Sequence, residues 1–237
     1  MSDEINVEKL IYLFWKPEDI ALHEWHQQIS DQLIPVLRNS GATRFRLNLP
    51  DDAVAKAHTM RMTHQPPLPD ALLSFWVNSA SQRHNFETSM RAMAARIAGY
   101  CVSESEPLPN TLHPVESAVR GFGMNHVVFL SIPERLDREQ WLNLWLDQHT
   151  AVAIDTQQNF GYRQNIVWRA LHADGPLIDA IVEENFPPEA ISDQNAFYRP
   201  GTAEQVSEHQ KRMYQSCKQF IDFDKMGRLP TSEYNFN

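Results

Sequence analysis

The feature that most constrains this chain is an order of short segments that occurs twice within its 237 residues. Residues 9–15 (KLIYLFW) form an apolar, aromatic-rich run of strand length. Beyond Pro17, Leu22, Trp25, Ile29, Leu33 and Leu37 recur at helical spacing, and Gly41 is placed to stop that helix. Thr43–Leu49 alternates, with Phe45, Leu47 and Leu49 on one side and Arg44, Arg46 and Asn48 on the other, as a half-buried strand does. Residues 50–70 read as a connecting loop and 72–77 as a third strand. Ser79 and Gln82 have the spacing of a capping box. The helix they would start turns Phe86, Met90, Met93 and Ile97 inward and ends at Gly99, before a fourth strand at 100–105.

A proline-rich stretch, 106–121, reads as a linker, and the order then starts again. A strand at 125–131 precedes Asp137 and Gln140, another cap pair, and a helix with Trp141, Trp145, His149 and Val152 on one stripe. Strands at 160–171 and 178–183 follow, then an irregular stretch opened by Pro187 and Pro188. Thr202 and Gln205 cap a last helix carrying Val206, Gln210, Met213, Cys217 and Phe220, and 228–236 is the candidate final strand. Laid over each other, the halves put Trp25 on Trp141, Ile29 on Trp145, Gln32 on Gln148 and Leu33 on His149. Duplication is the reading this favours, with one unit at 1–112 and the other at 122–237.

Each unit has the order β-α-β-β-α-β, the ferredoxin-like arrangement of a four-stranded antiparallel sheet with both helices on one face. The other face needs a cover, because a sheet buries its apolar side against another layer. Two such sheets facing each other satisfy both at once. The expected fold is therefore α+β, a pseudo-dimeric α/β barrel within one polypeptide.

Composition narrows the function classes. The formal net charge is −9, which argues against a basic nucleic-acid-binding face and against docking on an anionic membrane. Two cysteines, Cys101 and Cys217, lie far apart and build neither a disulfide framework nor a zinc knuckle. The acidic start, Met1–Glu4, has no apolar run of signal-peptide type, and no stretch approaches the length of a membrane span. A cytoplasmic location, with no nucleic-acid or membrane partner, is the expectation. Oligomerisation beyond the internal pair is left open.

The second half also resembles a known family. Residues 145–152 (WLDQHTAV), on a helix after a first strand, are similar to the W-x-x-x-H signature of EthD-like dimeric α/β-barrel proteins. Residues 162–167 (YRQNIV) resemble that family's second-strand segment, 178–183 (IDAIVE) its third strand, and 229–234 (LPTSEY) its closing segment. The resemblance covers about residues 124–235 and is only topological over the first half. It implies the barrel fold and kinship with small cofactor-free cyclases, lactone isomerases and barrel monooxygenases. No cofactor is therefore expected. Where the second half has Trp145 and His149, the first has Ile29 and Leu33, so a histidine-based site would exist once.

His149, on the stripe with Trp141 and Trp145, should point toward the sheet and is the candidate acid/base, the alternative being a buried histidine satisfied by a backbone carbonyl. Trp145, Tyr162, Gln164, Asn165 and Asp179 are the candidate ligand-binding residues. Because strand residues alternate, Tyr162 and Gln164 cannot share a face with Asn165. His126, on a strand, could ligate haem iron as in some related barrels, but a packed or edge histidine is the favoured reading. Asp179 and Glu183, four apart, would face the same way as an acid/base pair or as rim charges. Arg44, Arg46, Arg163 and Arg169 could form a cationic patch or pair with surface carboxylates. His23-Glu24-Trp25-His26 lacks the spacing of a zinc-protease helix. Two readings follow: a cofactor-independent isomerase, cyclase or monooxygenase-like enzyme acting on a small hydrophobic or aromatic compound, or a non-catalytic protein that binds such a compound or serves as an accessory partner of another enzyme in a catabolic or biosynthetic pathway.

Overall fold

The computed structural model describes residues 6–236, so the acidic start at Met1–Glu4 and the terminal Asn237 lie outside the described residues. In the first half, β1 (Glu8–Trp15) leads to α1 (Leu22–Gln28), a π-helical turn (Ile29–Leu33) and α2 (Ile34–Asn39). Then come β2 (Thr43–Leu49), a 3-10 segment (Asp52–Met60), β3 (Ala71–Val77), α3 (His84–Met93) and β4 (Arg96–Leu108). The second half repeats the order. Its β5 (Met124–Leu130) is followed by α4 (Arg138–Leu142), a π-helical turn (Asn143–His149) and α5 (Thr150–Thr156). It closes with β6 (Gly161–Ala170), β7 (Ala180–Phe186), α6 (Ala203–Phe220) and β8 (Gly227–Phe236).

Among the described residues these eight strands form one closed barrel in the order β1-β3-β2-β8-β5-β7-β6-β4. The halves meet at two antiparallel seams. At one, Leu47 pairs with Tyr234 across β2 and β8; at the other, Val102 pairs with Val167 across β4 and β6. Closure removes the free edges that an open sheet would expose. The helices lie outside, so every strand has one face toward a helix layer and one toward the barrel interior.

A shared irregularity shapes both first helices. Trp25, Ile29, Leu33 and Leu37 are all buried, and so are Trp141, Trp145, His149 and Ala153. Each set is spaced by four, and a regular α-helix with 3.6 residues per turn would drift such a row well off the sheet over three steps. The π turn corrects the drift. In the second half it is marked by the Thr150 amide donating to the Trp145 carbonyl, a five-residue step. Ala153, not Val152, therefore continues the buried stripe.

Several local expectations change for identifiable reasons. Asp137–Gln140 and Thr202–Gln205 form reciprocal capping boxes, whereas Ser79 caps a short 3-10 turn by accepting from the Ser81 amide, and α3 starts only at His84. Ile97 and Gly99 belong to β4, not to the preceding helix. Gly99 is required there because a Cβ would come within 2.6 Å of the Tyr12 ring. The start of the proline-rich stretch is strand, since β4 runs on to Leu108 and pairs with β6. Part of the expected 50–70 loop is the 3-10 segment, whose Val54, Ala57 and Met60 pack on Met124, Phe186 and Ala190 of the second half.

The barrel interior is divided along its axis. At one end Ile11, Leu13, Tyr100, Val127, Phe129 and Leu229 form an apolar plug. At the other, Arg163 meets Glu233 at 3.1 Å, Glu183 at 3.2 Å and Glu106 at 2.9 Å. Lys9 donates to Asn165 at 2.7 Å and lies beside Glu104 and Glu183. Asn48 and Asn165 each donate to Glu183 at 3.1 Å. Burial alone would raise the pKa of Glu183, but Lys9 and Arg163 outweigh it and hold the carboxyl well below its ordinary value. Glu233 is held low in the same way by Arg163 and Arg46.

Removing Arg163 would take from buried Glu233 its main counter-charge and from buried Glu183 its second, after Lys9. Arg163→Met is expected to destabilise the protein by roughly 3–5 kcal/mol in urea unfolding. A loss below about 1 kcal/mol would show that the interior network is energetically idle.

Candidate functional site

A cavity of about 670 Å³ lies between the helix-facing side of the second-half sheet and its helices. The sheet contributes His126, Val128 and Leu130 from β5, Val182 and Glu184 from β7, Tyr162 from β6 and Arg228 from β8. From the helix layer come Trp145 and His149 on the π turn and Met213, Cys217 and Phe220 on α6. Met60 and Met62, from the first half, reach across to close one side. Met62 is held there by a two-bond bridge to the Arg228 backbone. The volume suits one drug-sized molecule, and the walls are mostly apolar with a few polar groups, as in small-molecule sites generally.

The equivalent space in the first half is filled. Leu10 pairs with Phe75 on the first-half sheet as His126 pairs with Glu184 on the second. Two residues on, Tyr12 stands where Val128 stands. Tyr12 stacks on Phe75 at 5.8 Å between ring centroids, and Phe86 meets Phe75 edge-on at 5.4 Å. With Val128 and Glu184 in place of Tyr12 and Phe75, the second half keeps room for a ligand.

His149 lines this cavity and is only 6 % exposed. Its Nδ1 meets Ser216 Oγ at 2.9 Å, and its ring lies 4.7 Å from that of Phe220. Burial pulls its pKa from 6.5 down to about 4, so the ring is neutral at pH 7. Tyr162 lines the same cavity from the sheet. Its hydroxyl oxygen accepts from Trp145 Nε1 at 3.2 Å and from Gln164 Nε2 at 3.3 Å. With two donors already on the oxygen, the phenolic hydrogen is left for a partner in the cavity. Burial raises the Tyr162 pKa, so it acts as a neutral donor. The Cys217 thiol is pushed up to about 12, also by burial, and is no thiolate nucleophile at neutral pH.

The strand pleat sorts the remaining sequence candidates. Gln164 shares the helix-facing side with Tyr162 and supports it, donating also to Thr150 Oγ1 at 2.7 Å. Asn165 lies on the opposite side, inside the barrel, bound to Lys9, Glu183 and the Ile181 carbonyl. Asp179 is not on a strand at all; its carboxylate accepts from the Ile132 amide at 2.8 Å, while Glu183 belongs to the interior network. The pair therefore shares no site. The four arginines form no patch either: Arg46 and Arg163 serve the interior, Arg44 lies 3.9 Å over the Trp76 ring, and Arg169 is exposed. His126 does line the cavity, with Nδ1 4.0 Å from Glu184. Among the described residues, no group of three or more His, Cys, Asp or Glu side chains is placed to hold a metal ion, and no helix is long and apolar enough to cross a membrane.

The comparisons with known proteins bear on the fold. A solved structure of an anthrone oxidase-like protein superposes with a TM-score of 0.59 at 10% identity, covering 99% of this chain and 95% of that one. The fold is the dimeric α/β barrel. A chlorite dismutase variant from Candidatus Nitrospira defluvii, in complex with cyanide, matches at a TM-score of 0.48 and 10% identity over 97% of this chain and 91% of that one. No family model matches the sequence, and no curated protein does. At these identities the likeness extends to the fold and not to the chemistry.

Arg228 was not singled out by the sequence, nor were Met60 and Met62. Alternation places Arg228 outward on a strand, but only the barrel order reveals what it faces. The depressed pKa of His149 predicts a pH signature. The unfolded chain binds this proton below about pH 6.5 and the folded protein only near pH 4, so the histidine costs stability as pH falls through that window. His149→Gln should flatten the decline in Tm between pH 6.5 and 4.5, above the ordinary carboxylate range where Glu183 and Glu233 begin to matter. An unchanged profile would show that His149 is not buried in its neutral form.

Proposed function

We propose that this chain is a cofactor-independent, EthD-like enzyme that binds one small hydrophobic or aromatic molecule in the second-half cavity. In this reading the halves are tandem copies, residues 1–112 and 122–237, of which the second carries the site. The observation that carries the proposal is the pairing of a neutral histidine with a polarised phenol across an apolar cavity. If His149 donates Nδ1–H to Ser216, its Nε2 lone pair is free to take a proton from an acidic C–H or O–H of the ligand. Tyr162, already accepting from Trp145 and Gln164, donates to the oxygen on which negative charge develops. The apolar walls exclude water and strengthen both interactions.

A non-catalytic binding module is the second reading. Its support is the low basicity of His149, which makes it a weak proton acceptor. Anthrone separates the two. It is named in one structural relative, fits a cavity of this size and loses a benzylic proton to base. Exchange of that proton with deuterated solvent, followed by NMR, is expected to be accelerated by the wild-type protein. His149→Gln should reduce the acceleration by about 10²-fold or more with binding retained, and Tyr162→Phe by about tenfold or more. Binding without accelerated exchange would favour the binding module.

A further inference from the structure

Among the described residues, Arg228 is the only lysine or arginine that lines the cavity. The chain has 30 acidic against 21 basic residues, so carboxylates are plentiful, and the other deeply placed arginine, Arg163, has three. Arg228 has none within salt-bridge distance among the described residues. Its Nε is shut off from solvent without a hydrogen-bond partner. A guanidinium cannot shed its proton to escape this, because its pKa stays far above neutrality even where burial lowers it. Half-buried in a mostly apolar lining, this guanidinium is placed to receive a counter-charge from a molecule that binds there.

The other ionisable groups lining the cavity do not take that role. Glu184 is the carboxylate there, and it is engaged by Asn159 at 3.4 Å and faced by His126 at 4.0 Å. Strand register keeps it away from Arg228. Val128 of β5 pairs with Arg228 on one side and Val182 on the other, so Glu184 lies across β5 and one side-chain step further along. His149 is neutral and held by Ser216. The cavity thus offers a cationic corner at β8, apolar walls, and the His149–Tyr162 pair on the far side of β5.

We infer that the cavity's ligand is an apolar, ring-sized molecule bearing a single carboxylate, and that Arg228 receives that carboxylate. This rests on the cavity being a ligand site, as proposed above, and adds the chemical class. The bidentate geometry of a guanidinium on a carboxylate also fixes orientation, placing the apolar body along Val128 toward Tyr162 and His149.

The test is calorimetric titration with 2-naphthoate and its neutral counterpart 2-naphthamide against wild type, Arg228→Met, Arg228→Lys and Val128→Trp. Wild type is expected to prefer the naphthoate by about tenfold or more, as a charge-assisted contact in a partly dry site allows. Arg228→Met should abolish the preference while keeping naphthamide affinity, and Arg228→Lys should restore part of it. Val128→Trp, which fills the cavity, should lose both probes. Ligand-free Arg228→Met should melt no lower than wild type, because it removes a charge without a partner. Equal affinity of wild type for the two probes, or a preference that survives Arg228→Met, overturns the carboxylate inference and leaves the ligand site standing. Failure of both probes to bind wild type, or binding undiminished by Val128→Trp, overturns the site and this inference together.

Discussion

The contact on which the rest of the structure depends is the buried encounter of Arg163 with Glu233 and Glu183 inside the barrel. These groups come from β6, β8 and β7, and the network extends through Lys9 of β1, Asn48 of β2 and Glu104 of β4. It therefore crosses both seams between the halves. An apolar interior would tolerate one sheet sliding against the other, whereas interlocking charges and amides are satisfied in one register. Buried ion pairs add little net stability over apolar packing, because desolvation offsets most of their attraction. Their contribution here is specificity, the stability of closure coming from the apolar plug at the other end and from the helix layers.

Because the interior is occupied, a ligand has to be housed elsewhere. The pleat of β5, β6 and β7 presents a second, helix-facing surface, and the residues on it differ sharply between the halves. Tyr12, Phe75 and Phe86 fill the first-half space, while Val128, Val182 and Glu184 leave the second open. One side therefore resembles a finished core and the other a core with its centre removed.

Much of this was legible in advance. The element order, the matched tryptophans Trp25 and Trp141, the two capping boxes and the strict alternation of Thr43–Leu49 are local signals, written by side-chain period and cap chemistry. So was the exclusion of Asn165 from any site containing Tyr162, since adjacent strand residues point opposite ways. Helix continuation past Met93 was misread, because Ile97 keeps helical spacing while lying on a strand that faces the same helix layer. Asp179 was misread as a strand residue because the apolar run 178–183 starts two residues before the ladder does.

What the sequence by itself determined is the kind of object: two β-α-β-β-α-β units whose sheets must cover each other. Periodicity and capping act over a few residues, and they suffice for that. The tertiary structure alone decided which polar residues are scaffold and which line the cavity. Arg163 and Arg228 are both arginines on strands, and nothing local distinguishes them. Among the described residues one meets three carboxylates and the other none, because only the closing of eight strands in a particular order settles which side chains share a space.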